Sequence, residues 1–186
     1  MKIGCIVMAA GNSVRFGSNK LLFEIDGHSM IQRTFSAIPT SLLHGVTVVT
    51  QYDEVAKLAD EYGFQSVKNL HPEWGISHTI SLGIHSMPWA DAAVFLVADQ
   101  PLLKKRSVSA LISAYLSQPD RIVALSYHGK RGNPCLFPAE FFPELLALQG
   151  DIGGSTVIRA HTNRLLLVEA DDCELQDVDT PQQLLR

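Results

Sequence analysis

The stretch IGCIVMAAGNSVRFGSNKLL, beginning at Ile3, sets two small residues, a glycine, a polar run, an arginine, a second glycine and a lysine directly after an apolar strand. Such residues make poor core. A glycine-rich loop that follows a strand can instead turn several backbone N–H groups toward one point, a geometry that holds phosphate oxygens. Ala9, Ala10, Gly11, Asn12 and Ser13 would form that cradle, and Arg15 and Lys20 would bring mobile positive charge to it. A solvated loop could carry the same two cations, but Gly11, Gly17 and the apolar strand ahead of them favour a binding loop. The pattern is neither GxxxxGK[ST] nor GxGxxG, so neither the P-loop nor the dinucleotide fingerprint describes it.

Carboxylates are the complementary chemistry. Asp99, in DQP, ends AAVFLVA, the most continuous apolar run of the chain. It therefore falls at the carboxyl end of a buried strand, where open α/β sheets bind ligands, unless it caps a helix after Pro101. Asp177 and Asp179 alternate before Thr180-Pro181 and point the same way if the segment is extended; capping the last helix is the other role open to Asp179. In HGKRGNP, read as a glycine-rich loop, Lys130 and Arg131 are either a solvated turn or a basic pair for an anionic group. His71, His78 and His85 are seven apart. On a helix that is ~10 Å along the axis, too far to ligate one ion, so no metal site is read there. Cys135, after Pro134 in an expected strand, reads as a buried, inert thiol.

These groups must be positioned by a fold, and 186 residues with 46% hydrophobic content suffice for one well-buried domain spanning residues 1–186. A net charge of −4 argues against a nucleic-acid partner held by a basic surface. Three scattered cysteines without a CxxC pair disfavour a disulfide framework and a structural zinc site. With no run of the ~20 apolar residues a bilayer requires and no leader pattern, a cytoplasmic protein without a membrane partner is expected. Short apolar runs alternate with segments of helical period, the signature of a mostly parallel sheet covered on both faces. Strands are expected at Ile3 to Ala9, Val46 to Thr50, Ser66 to Lys68, Ala92 to Ala98, Arg121 to Tyr127 and Leu165 to Glu169. Helices should carry Ile31, Phe35 and Ile38, Val55 to Tyr62, Ile76 to Ile84, Val108 to Leu116, Glu140 to Gln149 and Ser155 to His161.

The opening loop resembles the signature of MobA-like NTP transferases, in which a strand leads into AAG or AGG, then Arg, Met-Gly and a lysine. Here those positions are Ala9, Ala10, Gly11, Arg15, Phe16, Gly17 and Lys20. The resemblance extends in the same order to DQP (Asp99 to Pro101), GNPCLF (Gly132 to Phe137), GDIGG (Gly150 to Gly154) and DVDTP (Asp177 to Pro181). Phe16 and Gln100 stand where methionine is common, and GDIGG lacks an arginine often found there. The nearest subgroup looks like molybdenum cofactor cytidylyltransferase, because it carries AAG where guanylyltransferases carry AGG.

The resemblance implies a three-layer, Rossmann-like α/β nucleotidyltransferase fold. It implies a Mg²⁺-dependent transfer of CMP from CTP to a molybdopterin-type acceptor, with a molybdenum enzyme as a receiver of the product. Arg15, Lys20 and Asp99 would be catalytic, Asp99 and Asp179 would hold Mg²⁺, and Lys130, Arg131 and Asn133 would meet the acceptor. Ser81, on the helix that approaches the nucleotide in this subgroup, is either a nucleotide contact or a packing residue. Transfer from GTP, transfer to another phosphorylated acceptor, and a non-catalytic cofactor carrier are the alternatives.

Overall fold

The computed structural model describes residues 1–12 and 19–178. Ser13, Arg15, Asp179 and the helix expected from Thr180-Pro181 lie outside the described residues.

The strands are β1 (Ile3–Ala9), β2 (Glu24–Ile25), β3 (His28–Ser29), β4 (Gly45–Thr50), β5 (Gln65–Lys68), β6 (Ala92–Val97), β7 (Ile122–Tyr127), β8 (Lys130–Pro138) and β9 (Leu165–Glu169). The α-helices are α1 (Met30–Ser36), α2 (Asp53–Glu61), α3 (Ile76–His85), α4 (Lys105–Ser117), α5 (Phe142–Leu146) and α6 (Ser155–Ala160). Seven strands make one sheet in the order β5-β4-β1-β6-β8-β7-β9, while β2 and β3 form a separate small hairpin. Strand β8 is antiparallel to both neighbours, and the remaining pairs in the large sheet are parallel.

Alternation along β1 shows how the sequence builds three layers. Cys5 and Val7 enter a core shared with Ile31, Phe35, Val55, Val108 and Ile112, so α1, α2 and α4 cover that face. Ile6 points the other way, into a core with Ile80, Ile84, Phe141, Leu145 and Ile158 from α3, α5 and their neighbours. Period two along a strand thus feeds two helical stripes of period 3.6. On the second face α3 lies close because Gly83 has no side chain; a Cβ there would fall 2.4 Å from Ile6 Cγ2. The chain proceeds outward from β1 to β4 and β5, then returns to place β6 on the other side of β1. That reversal is the switch point at which a parallel sheet opens a crevice beyond its carboxyl ends.

Four expectations are corrected. Helix α1 ends at Ser36, so Ile38, expected on its face, lies beyond it, though still buried. HGKRGNP is not a loop: Lys130 to Pro134 belong to β8, and the turn is confined to His128 and Gly129, at φ 47° and 73°. Positive φ at both central residues suits a two-residue hairpin, and Glu169 accepts both of their N–H groups at 3.1 and 3.0 Å. Leu116 is exposed because the apolar stripe of α4 is completed by Leu111, Ile112 and Tyr115. The helix expected from Glu140 to Gln149 is a short 3₁₀ turn (Ala139–Phe141) followed by α5, with Pro143 in its first turn.

Candidate functional site

The carboxyl ends of β1 and β6 deliver Ala9 and Asp99 to one cavity of about 420 Å³. Its wall runs from Ala9 through Ala10, Gly11 and Asn12 to Lys20 on one side, and through Glu73, Gly75, Ile76 and Thr79 on the other, with Asp99 and Asp151 also facing it. Ala9, Ala10, Gly11, Asn12, Lys20 and Asp99 are therefore brought together. The loop start is braced from β4: Gln51 Nε2 donates to the Ala10 carbonyl and to Asn12 Oδ1, both at 2.9 Å, and the Tyr52 hydroxyl donates to the Gly11 carbonyl at 3.0 Å.

Lys20 begins a short 3₁₀ turn (Lys20–Leu22) capped by Asn19, whose Oδ1 accepts the Leu21 N–H. Its ammonium donates to Asp99 Oδ2 at 2.9 Å and to the Val178 carbonyl at 3.2 Å. The alternative role of Asp99 as a helix cap is not realised, since α4 begins at Lys105 with Lys104 in the cap position.

Three carboxylates, Glu73, Asp99 and Asp151, and the ammonium of Lys20 line this cavity. The Glu73 carboxyl is held below the usual carboxylate range, first by its own backbone N–H and then by His71, whose Nδ1 lies 3.1 Å away. Among the described residues this donor set repels a bare polyphosphate. It suits one that arrives with a hard divalent cation, for which one or two carboxylates and phosphate oxygens are sufficient ligands.

A second cavity of about 270 Å³ adjoins the first and shares Met8, Ile76, Val97 and Asp151 with it. Arg131 and Asn133 line it, above an apolar floor that includes Phe95 and Phe137. Lys130, one residue earlier on β8, is exposed and lines neither cavity. Cys135 is buried in the second wall, where burial pushes its thiol pKa up. The junction is fixed by backbone contact. Gly75 has φ 83°, and a Cβ there would meet the Gly150 carbonyl carbon and oxygen at 2.4 Å and Asp151 N at 2.7 Å.

Ser81 is not brought to either cavity. It lies with Ser77, Trp74 and His78 in a separate shallow depression on α3, its Oγ 3.3 Å from His85 Nδ1. His71 stacks on Trp74 with ring centroids 4.2 Å apart, and His85 Nδ1 lies 2.8 Å from the Ser81 carbonyl oxygen. Gln51, Tyr52, Glu73, Thr79 and Asp151 were missed as site residues. For Gln51 and Tyr52 a signal existed, because they follow the carboxyl end of a strand expected beside β1.

An open, mostly parallel sheet with one cavity at its switch point and a second against it is the arrangement in which doubly wound α/β proteins hold their ligands. The chain belongs to the MobA-like NTP transferase domain family, whose pattern it matches over residues 5–165. It is similar to the purine catabolism protein PucB of Bacillus subtilis, at 30% identity over 96% of this chain and 92% of that one. A probable molybdenum cofactor guanylyltransferase of Pyrococcus horikoshii is 33% identical over 45% of each chain. In three dimensions a Methanothermobacter nucleotidyl transferase superposes with a TM-score of 0.83 at 20% identity, covering 99% of this chain and 94% of that one.

Proposed function

We propose that this nucleotidyltransferase moves CMP from CTP to the terminal phosphate of a molybdopterin-type acceptor and releases pyrophosphate. The observation that carries the reading is the pair of adjoining cavities: one bears the Ala10 loop and the Lys20–Asp99 pair, the other Arg131 and Asn133, with Asp151 in the wall common to both. Two anionic substrates must meet at one phosphorus atom, and two sites that share a wall supply the required proximity.

The backbone N–H groups of Ala10, Gly11 and Asn12 hold the triphosphate, and Ser13 and Arg15 are assigned to the same task. Lys20 exchanges Asp99 for phosphate oxygens and follows the negative charge that develops as pyrophosphate departs. Arg131 and Asn133 hold the acceptor so that its phosphate oxygen approaches the α-phosphorus in line. The phosphorus–oxygen bond to pyrophosphate breaks as the new one forms, so no covalent enzyme intermediate is required. Asp99 and Asp179 would hold Mg²⁺, which would supply charge neutralisation to the phosphates.

Ala10 is buried and lines the first cavity, and the reading of CTP rests on its methyl group leaving less room for a base than glycine would. GTP is the second reading, favoured by the naming of several relatives as guanylyltransferases. Pyrophosphate release measured with each of the four nucleotides, with and without molybdopterin, tests the proposal. Acceptor-dependent release with CTP is expected; preference for GTP favours the second reading, and cofactor binding without release with any nucleotide identifies a carrier.

A further inference from the structure

Both members of the Lys20–Asp99 pair are tied to one stretch of chain near the carboxyl terminus. The Val178 N–H donates to the Asp99 carbonyl at 2.9 Å, and the Val178 carbonyl accepts from Lys20 Nζ at 3.2 Å. One residue beyond Asp99, Gln100 is buried, and its Nε2 donates to the Leu175 carbonyl at 3.1 Å and to Asp177 Oδ1 at 2.9 Å. Farther along, the completely buried Glu174 accepts the Lys104 N–H at 2.9 Å through Oε2, fixing the segment to the start of α4. Asp171 adds exposed ion pairs with Lys104 and Arg106.

We propose that residues 174–178 act as a clasp that positions the Lys20–Asp99 pair, and that Gln100 and Asp177 are positioning residues for the transfer reaction. The inference rests on the reading of Lys20 and Asp99 as the groups that serve the reacting phosphates. A buried amide donor left unpaired is costly, and both hydrogen bonds of Gln100 Nε2 go to this segment, while its Oε1 is buried without a partner among the described residues. The clasp sets the backbone of Asp99 and one acceptor of Lys20 together, so a shift of the segment moves both. In reactions that depend on in-line approach, displacement of about 1 Å costs about a hundredfold in rate. Asp177 needs only an oxygen acceptor for this role. A metal ligand would need its charge.

The experiment compares Gln100→Leu, Asp177→Ala and Asp177→Asn with the parent protein, using CTP, Mg²⁺ and molybdopterin, with Asp99→Asn as control. Gln100→Leu and Asp177→Ala should each lower kcat at least about tenfold at saturating CTP, with KM for CTP within about twofold. Asp177→Asn keeps an acceptor for Gln100 and should retain most of kcat with an unchanged Mg²⁺ requirement. If Gln100→Leu fails to fold, the two Asp177 variants give the answer alone. Normal kcat in Asp177→Ala overturns the clasp, as does loss of kcat in Asp177→Asn that added Mg²⁺ restores, since that marks Asp177 as a metal ligand. Normal turnover in the Asp99→Asn control instead overturns the underlying reading of the pair, and the clasp with it.

Discussion

Lys20 Nζ lies 2.9 Å from Asp99 Oδ2, so the ammonium after the opening loop and the carboxylate after β6 neutralise one another at the edge of the first cavity. Their side chains are 16% and 27% exposed, open enough for a polyphosphate to claim the lysine and a cation to claim the aspartate. Lys20→Ala should therefore lower kcat by about 10² to 10³, the effect of removing one preorganised donor, and raise KM far less. The fold should survive, since partly exposed ion pairs contribute about 1 kcal/mol or less. Steady-state pyrophosphate release together with thermal unfolding checks both halves, and near-normal turnover in a folded variant would remove Lys20 from the chemistry.

Ala10→Gly should shift nucleotide choice toward GTP without completing the switch. One methyl group in a base pocket is worth about 1 to 3 kcal/mol, or roughly 10 to 200-fold in kcat/KM. Competition between CTP and GTP measures the shift. An unchanged ratio would show that Ala10 does not discriminate.

Two glycines of the first cavity should respond very differently to alanine. Gly75→Ala places a Cβ 2.4 Å from the Gly150 carbonyl at a φ of 83°, so the wall carrying Asp151 must move. A loss of at least about 2 kcal/mol in stability is expected. Gly11→Ala meets nothing within 4 Å and should stay within about 0.5 kcal/mol of the parent. Urea unfolding of the two variants gives both values. Equal losses would contradict the close contact at Gly75.

Burial pushes the Cys5 thiol up to about 12, against an ordinary value of 9.0. A group whose folded pKa is raised contributes stability fully present below its unfolded pKa and lost as pH rises through the folded one. Unfolding free energy should therefore fall between pH 9.0 and about 12, with Cys135 and Tyr115, both also raised by burial, acting in the same direction. Cys5→Ala should make the fall shallower, even if its neutral-pH stability is lower. Denaturant midpoints across that window would show it, and an equally steep fall in the variant would exclude Cys5 as a source.

Much of this architecture was legible because burial writes a regular pattern. Ile3 to Ala9 is a strand with the expected bounds, and Ile76, Ile80 and Ile84 lie on α3 as their spacing requires. Strand β8 was not legible from its first residues, since Gly132 and Pro134 are poor strand formers and Arg131 borders the second cavity. The helix of Ser81 was foreseen, yet the residue faces the depression beside Trp74. Which side of α3 meets the cavity is decided by contacts between Gly75 and Gly150, residues 75 positions apart that no local period relates. The same holds for the ties of Gln100 to Leu175 and Asp177, which depend on how a distant segment crosses the DQP turn.

The most direct test of nucleotidyl transfer is to follow the phosphorus atoms. CTP labelled at the α-phosphate, and separately at the γ-phosphate, is incubated with the protein, Mg²⁺ and molybdopterin, and the acceptor is isolated. The α label should appear on the acceptor in proportion to pyrophosphate released, while the γ label leaves entirely in pyrophosphate. Appearance of the γ label on the acceptor, or acceptor that remains unlabelled while bound, would contradict nucleotidyl transfer.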